Sequence, residues 1–207
     1  VVDGINPIDT AREVRQSIGL TRRQEQAVAN YRRALQAGRY GEARSRALSG
    51  GTNDRMLGAR VGTDRALTDE QIDRMTERYR RNYLRYRSET IARTESIRAV
   101  NGGAHATLQA QVDAGRLEEG RIRREWIVTS DSKLRDAHAA IPGMNENGVA
   151  QNEPFKTPLG PLMYPGDPSG VAANVINCRC TVFPRILSRE VWEREQGGAF
   201  DPGRGER

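Results

Sequence analysis

A chain of 207 residues has room for one large or two small domains. Hydrophobic residues make up 36% and charged residues 29%, so a packed core is expected beneath an extensive solvated surface. The formal net charge of +6, carried almost wholly by arginine, points to an anionic partner such as nucleic acid or an acidic protein surface, and no apolar run approaches the roughly 20 residues of a membrane-spanning helix.

The first part of the chain reads as helical. "VVDGINPIDTARE" lacks the basic and apolar regions of a secretion signal, so the thiols are expected to be reduced or metal-bound. A start without Met and an end in "GGAFDPGRGER" suggest a piece of a longer product. Thr21 with Gln24 forms a capping-box pattern that opens a helix ending at Gly38. A short helix over 40–48 follows, then the Gly-rich "SGGTNDRMLGARVGTDRA", read as a connector. Thr68 with Gln71 repeats the capping box and opens a long helix. Its stripe of Ile72, Met75, Tyr79, Tyr83 and Tyr86 continues into Ile91, Ile97 and Val100. "NGG" at 101–103 predicts a break or kink, with helix resuming over 104–114.

Within this helix, Arg74, Arg78, Arg81 and Arg85 form a stripe beside the tyrosines. One reading is a contact with nucleic acid or a protein partner through guanidiniums and stacking rings. The other is an amphipathic helix that buries its tyrosines and leaves its arginines wet. Charge is asymmetric in the same sense. Residues 1–120 carry 21 Arg against 16 acidic residues, and the rest carries 12 basic against 11 acidic.

Past residue 120 the pattern changes. "EWIVTSD" (125–131) reads as a strand, and "SKLRDAHAA" as a short helix capped by Asp131 or Ser132. Residues 141–170 hold six of the nine prolines and five glycines, a long irregular excursion in which Asp167 is suited to cap a turn. "NVINCRCTVFPRIL" reads as a second strand and "REVWEREQ" as one or two helical turns.

On a strand, Ile176, Cys178, Cys180 and Val182 share one apolar face, and Asn177 and Arg179 share the other. Cysteines two apart on a straight strand have Cα atoms roughly 6.5–7 Å apart, poorly suited to a disulfide. Three readings stand: two buried reduced thiols, a Cys–His nucleophilic pair, or two ligands of a zinc ion. In the last, Asp131, His138, Cys178 and Cys180 make a conceivable tetrad; no cofactor is expected, with zinc as the possible exception. His105, in the helix just after the expected break, reads as an ordinary histidine. Arg179 and Asn177 are expected to bond to neighbouring backbone, Asp131 or Asp136, and so pin the strand to the loop.

Taken in order, "IARTE", "EWIVTSDSKLRDAHAAIPG" and "PLMYPGDPSGVAANVINCRCTVFPRI" resemble the phage head-morphogenesis domain of the Mu F-like minor head proteins. The family motifs fall on Arg93, Thr94, Glu95, Trp126, Asp131, Arg135, His138, Asp167, Asn177, Cys178, Arg179 and Cys180, within roughly residues 70–187. The resemblance implies a few-copy structural protein of tailed-phage heads and supplies no catalytic residue. The implied partners are the portal and the capsid or scaffold proteins, with packaged DNA as a further contact. The implied location is the capsid interior at the portal vertex, with host cytoplasm during assembly.

The expected fold class is α+β. A mainly helical region over 1–65 precedes a domain over 66–187 with a long helix, few strands and a Pro/Gly-rich loop, and 188–207 form a tail. The alternative functions are a metal-dependent hydrolase or a DNA-binding module injected with the genome.

Overall fold

The computed structural model describes residues 6–46, 48, 51–63 and 65–195. The chain divides into two units, Val1–Ala92 and Arg93–Arg207. The α+β class holds: helices dominate, and one two-stranded antiparallel sheet lies in the second unit.

The first unit is helical. Helix α1 (Pro7–Ser17) has Pro at its start and Asn6 as cap, where a missing N–H costs nothing. In α2 (Arg22–Gln36) both halves of the expected capping box form at Thr21 and Gln24. Helix α3 covers only Tyr40–Ser45. Helix α4 (Thr52–Gly58) lies inside the stretch expected to be a connector. Its glycine content misled, because Leu57 and Asn53 on this short helix are both fully buried and hold it to the core.

Helix α5 spans Asp69–Asp113, and the expected box at Thr68 and Gln71 caps its start. Its stripe enters the core with Ile72, Met75 and Tyr79, beside Tyr31, Leu35 and Leu57 from the shorter helices. The Tyr79 ring stacks on Tyr31 at 4.1 Å and meets Tyr83 edge-on at 5.2 Å. Burial raises the Tyr31 hydroxyl to about 12, which keeps it a neutral hydrogen-bonding group. The tyrosine stripe is therefore core at Tyr79, and it reaches solvent only by Tyr86.

The break expected at Asn101–Gly103 does not occur, since α5 runs through it. Two glycines each cost a helix about 1 kcal/mol relative to alanine. Packing in the second unit explains their placement. A Cβ on Gly102 would sit 3.3 Å from the Tyr164 ring, so the glycine lets that ring approach the helix. Asn101 is buried and donates to the carbonyls of Ile97, Pro165 and Cys180, while its Oδ1 accepts from Thr181.

In the second unit, β1 (Ile122–Ile127) begins earlier than expected and alternates buried and half-buried positions. Helices α6 (Asp136–Ala139), α7 (Ile141–Met144) and α8 (Ala172–Val175) are each a single turn. Strand β2 (Thr181–Ile186) pairs with β1, with Trp126 opposite Val182. Helix α9 (Arg189–Glu195) supplies the expected last turns, and the rest of the anticipated tail lies outside the described residues. The long Pro/Gly-rich excursion is packed: Val149, Phe155 and Leu162 join Trp126, Ile141, Val175, Cys178 and Cys180 in one core.

Candidate metal centre

Three side chains of different segments meet in the second unit. His138 comes from α6, and Cys178 and Cys180 from the segment between α8 and β2. That segment is not the strand expected from its sequence. Asn177 has φ of +57°, a left-handed conformation that ends extended structure, and β2 starts only at Thr181. Ile176 is consequently exposed, whereas both cysteines are buried.

The bend is fixed from several sides. The Asn177 N–H donates to Thr94 Oγ1 at 3.0 Å, and Arg93 donates to Asn177 Oδ1 at 3.2 Å. Arg135, one residue before α6, donates to the carbonyls of Ala173 (2.6 Å) and Ile176. Thr129 donates to the carbonyl of Arg179 at 2.8 Å. The motif residues Arg93, Thr94, Arg135 and Asn177 thus hold the backbone that carries the two sulfurs.

The ligand-type atoms of His138, Cys178 and Cys180 lie within 4.8 Å of one another. His138 Nδ1 is 3.7 Å from Cys178 Sγ and 3.4 Å from Cys180 Sγ. The Cys180 N–H points at Cys178 Sγ, 3.4 Å away. The edge of Trp126 covers the imidazole at 6.2 Å, and His138 Nε2 has no partner among the described residues. The thiols are inequivalent. Hydrogen bonding from Cys178, with help from His138, draws Cys180 below the ordinary thiol range, while Cys180 and burial push Cys178 up. A cavity of about 10 Å³ adjoins all three groups, room for about one water.

Asp131 is not brought into this group. Its carboxylate forms a two-pronged ion pair with Arg179, with Arg179 Nη2 at 2.6 Å, and it accepts the Lys133 N–H. Arg179 holds Asp131 down to about 2, and Asp131 supports a turn ahead of α6 instead of capping the helix. Asp167 is buried and caps its own turn, accepting from the N–H groups of Met163 and Ser169 and from the Ser169 hydroxyl. Glu95 pairs with Arg98 at 2.9 Å, and Arg98 Nε donates to the carbonyl of Gly166.

Arg124 went unnoticed in the sequence. It is 1% exposed, and among the described residues no carboxylate bonds its guanidinium. It donates instead to the carbonyls of Ala150, Glu153 and Met163, meets His105 Nδ1 at 3.3 Å, and lies over the Phe155 ring at 5.2 Å. Alternation along β1 was the available signal, since it sets Arg124 on the same face as Ile122 and Trp126.

His105 is a bound group, not a bystander. Gln151 donates to its carbonyl, and burial and then the Arg124 charge lower its pKa from 6.5, against a smaller opposing pull from Asp167. The unfolded chain therefore takes up this proton at higher pH than the folded one. The contribution is complete above 6.5 and is lost as pH falls through the lowered folded value. Urea midpoints measured at descending pH are expected to drop across that window, and a His105→Gln chain to lose that part of the drop.

The arginine stripe of the first unit is partly tied down. Arg74 pairs with Glu70 at 3.2 Å and Arg81 with Glu77 at 3.5 Å, while Arg78 donates inward to Asn53 at 2.7 Å. Arg85 donates to Asn82 at 3.5 Å. Arg78, Arg81 and Arg85 converge with Arg15 of α1 on a groove of about 250 Å³ whose other lining residues, Asn82 and Leu84, carry no charge.

The chain matches the family described as Phage Mu protein F like protein over residues 45–183. It belongs to that family. The match begins in α3, earlier than the region of resemblance, so the Mu F-like region takes in core residues of the first unit as well as the His–Cys cluster. Membership places the chain among phage head proteins and speaks for a structural role. No helix of the described residues is long and apolar enough to cross a membrane. Searches of the curated proteins and of the solved structures find no match.

Proposed function

We propose that this Mu F-like chain is a minor structural component of the phage head, seated on the capsid interior at the portal vertex, and that it serves head assembly or the packaging and delivery of DNA. The observation that carries this reading is the family match, which spans most of the folded chain. Two features support it over the hydrolase alternative. The cavity at the His–Cys cluster, about 10 Å³, has room for about one water and is too small for a substrate. The larger groove is lined by Arg15, Arg78, Arg81 and Arg85 and by no carboxylate, which suits the docking of an anionic surface. Portal or capsid acids and the phosphates of packaged DNA share that chemistry.

Phage lacking the chain are expected to give heads that assemble, fill or eject poorly, with infectivity restored by the natural chain. A chain carrying Arg81→Glu and Arg85→Glu folds, because neither side chain is core, and is expected to be left out of particles. Normal infectivity from the clean deletion would contradict the proposal.

A further inference from the structure

We propose that His138 Nδ1, Cys178 Sγ and Cys180 Sγ bind a zinc ion, with a water in the fourth position. The inference stands on the second unit's own geometry and does not depend on the role in the head.

Distance is the first support. Ideal tetrahedral zinc with Zn–S near 2.3 Å and Zn–N near 2.05 Å places sulfur and nitrogen about 3.6 Å apart. The observed separations are 3.7 and 3.4 Å, one on each side of that value. Without a metal, this arrangement is poorly satisfied. An imidazole nitrogen has one lone pair and takes one S–H along its axis, yet two sulfurs converge on the same Nδ1. A cation at the centre satisfies all three atoms together.

Charge is the second support. Two thiolates and a neutral imidazole cancel the charge of Zn²⁺, so the loaded site is neutral. That matters because His138, Cys178 and Cys180 are each 3% exposed or less, and a net charge there would be expensive. The pairing of Asp131 with Arg179 keeps a further anion out of the set. Soft sulfur ligands with one imidazole select zinc over magnesium or calcium.

Local backbone is the third support. The Cys180 N–H aimed at Cys178 Sγ stabilises a thiolate, and the left-handed Asn177 turns the segment so that both sulfurs face α6. The fourth position opens onto the small cavity bordered by Thr129, Lys133, Leu134, Arg135, Asn177 and Arg179, which has room for one water. The ion would then staple the segment before β2 to α6. It would add to the bonds that Thr129, Arg135 and the Arg179–Asp131 pair already make between these stretches.

The test is metal analysis of the full chain, purified without chelator or affinity metal. About one zinc per chain is expected, with both thiols protected from alkylation until a chelator is added, and with a lower Tm after the metal is removed. His138→Ala and Cys180→Ser chains are expected to lose the zinc. Should those variants fail to fold, cobalt(II) added to the metal-free natural chain gives an independent readout, because thiolate ligation produces a sulfur-to-metal charge-transfer band. A natural chain with no zinc, no such band, and thiols alkylated equally fast with and without chelator would overturn the proposal. So would a folded Cys180→Ser chain that keeps a full equivalent of zinc.

Discussion

Replacing Arg124 with methionine is expected to destabilise the second unit by roughly 3–5 kcal/mol, a large share of the 5–15 kcal/mol that typically holds a domain together. Methionine follows the arginine stem but not the guanidinium, so the change removes the donors and leaves part of the space they filled. The guanidinium is the donor for three backbone carbonyls of the long excursion, those of Ala150, Glu153 and Met163. An unpaired buried carbonyl costs about 1–3 kcal/mol, and these bonds to a charged donor lie at the stronger end. Arg124→Lys is expected to recover little, because an ammonium is a point donor that cannot reach three separated acceptors. Burial lowers the Arg124 pKa only to about 10, so the group stays charged at neutral pH.

A second readout separates this role from mere space filling. The Arg124 charge helps hold His105 down, so in any folded Arg124→Met chain the His105 titration is expected to move up. Equilibrium urea unfolding measures the first effect and NMR of the imidazole the second. An Arg124→Met chain with an unchanged unfolding midpoint would show that the carbonyls find other donors.

The second large effect belongs to the first unit. Asn53→Ala is expected to cost roughly 2–4 kcal/mol, because it strips one fully buried polar residue from three partners. Asn53 Nδ2 donates to Tyr31 Oη at 3.1 Å and to the carbonyl of Met75 at 3.0 Å, and its Oδ1 accepts from Arg78 at 2.7 Å. One side chain on α4 thereby ties α2 to the start of α5 through the buried Tyr31 hydroxyl and Met75 carbonyl and the half-buried Arg78. Asn53→Leu is expected to be no better, since the apolar branch leaves the same groups unpaired. Thermal unfolding of the full chain reports the loss, and near-native stability for Asn53→Ala would mean that water replaces the amide.

Much of this fold was legible in the sequence because local rules and packing agree there. Both capping boxes form where Thr21 and Thr68 place them, and the Ile72–Met75–Tyr79 periodicity marks the face that is buried. Failures came where a tertiary partner outweighs a local preference. The glycines of the 49–66 stretch suggested a connector, yet Asn53 and Leu57 find the core and make α4. Asn101–Gly103 suggested a break, yet the small residues admit the Tyr164 ring and the carbonyls of Pro165 and Cys180 to the side of a continuous helix.

The candidate site was half visible. His138, Cys178 and Cys180 were singled out as ligand-type residues on elements of the same half, and the structure brings them together. The strand alternation used to place the cysteines on one face was the wrong reason, since Asn177 breaks the strand before them. Asp131 fits a ligand set by type, but its position opposite Arg179 commits it elsewhere. Arg124 was hidden because a charged residue invites a surface assignment, although its place in the β1 alternation points inward.

We propose that this Mu F-like chain acts as a built-in part of the head at the portal vertex. A cryo-EM reconstruction of intact particles, computed without imposed capsid symmetry, tests it most directly. Density for the helical unit is expected against the inner portal face in mature heads. Particles with an unoccupied portal face, and with the chain dispersed through the DNA or missing altogether, would contradict it.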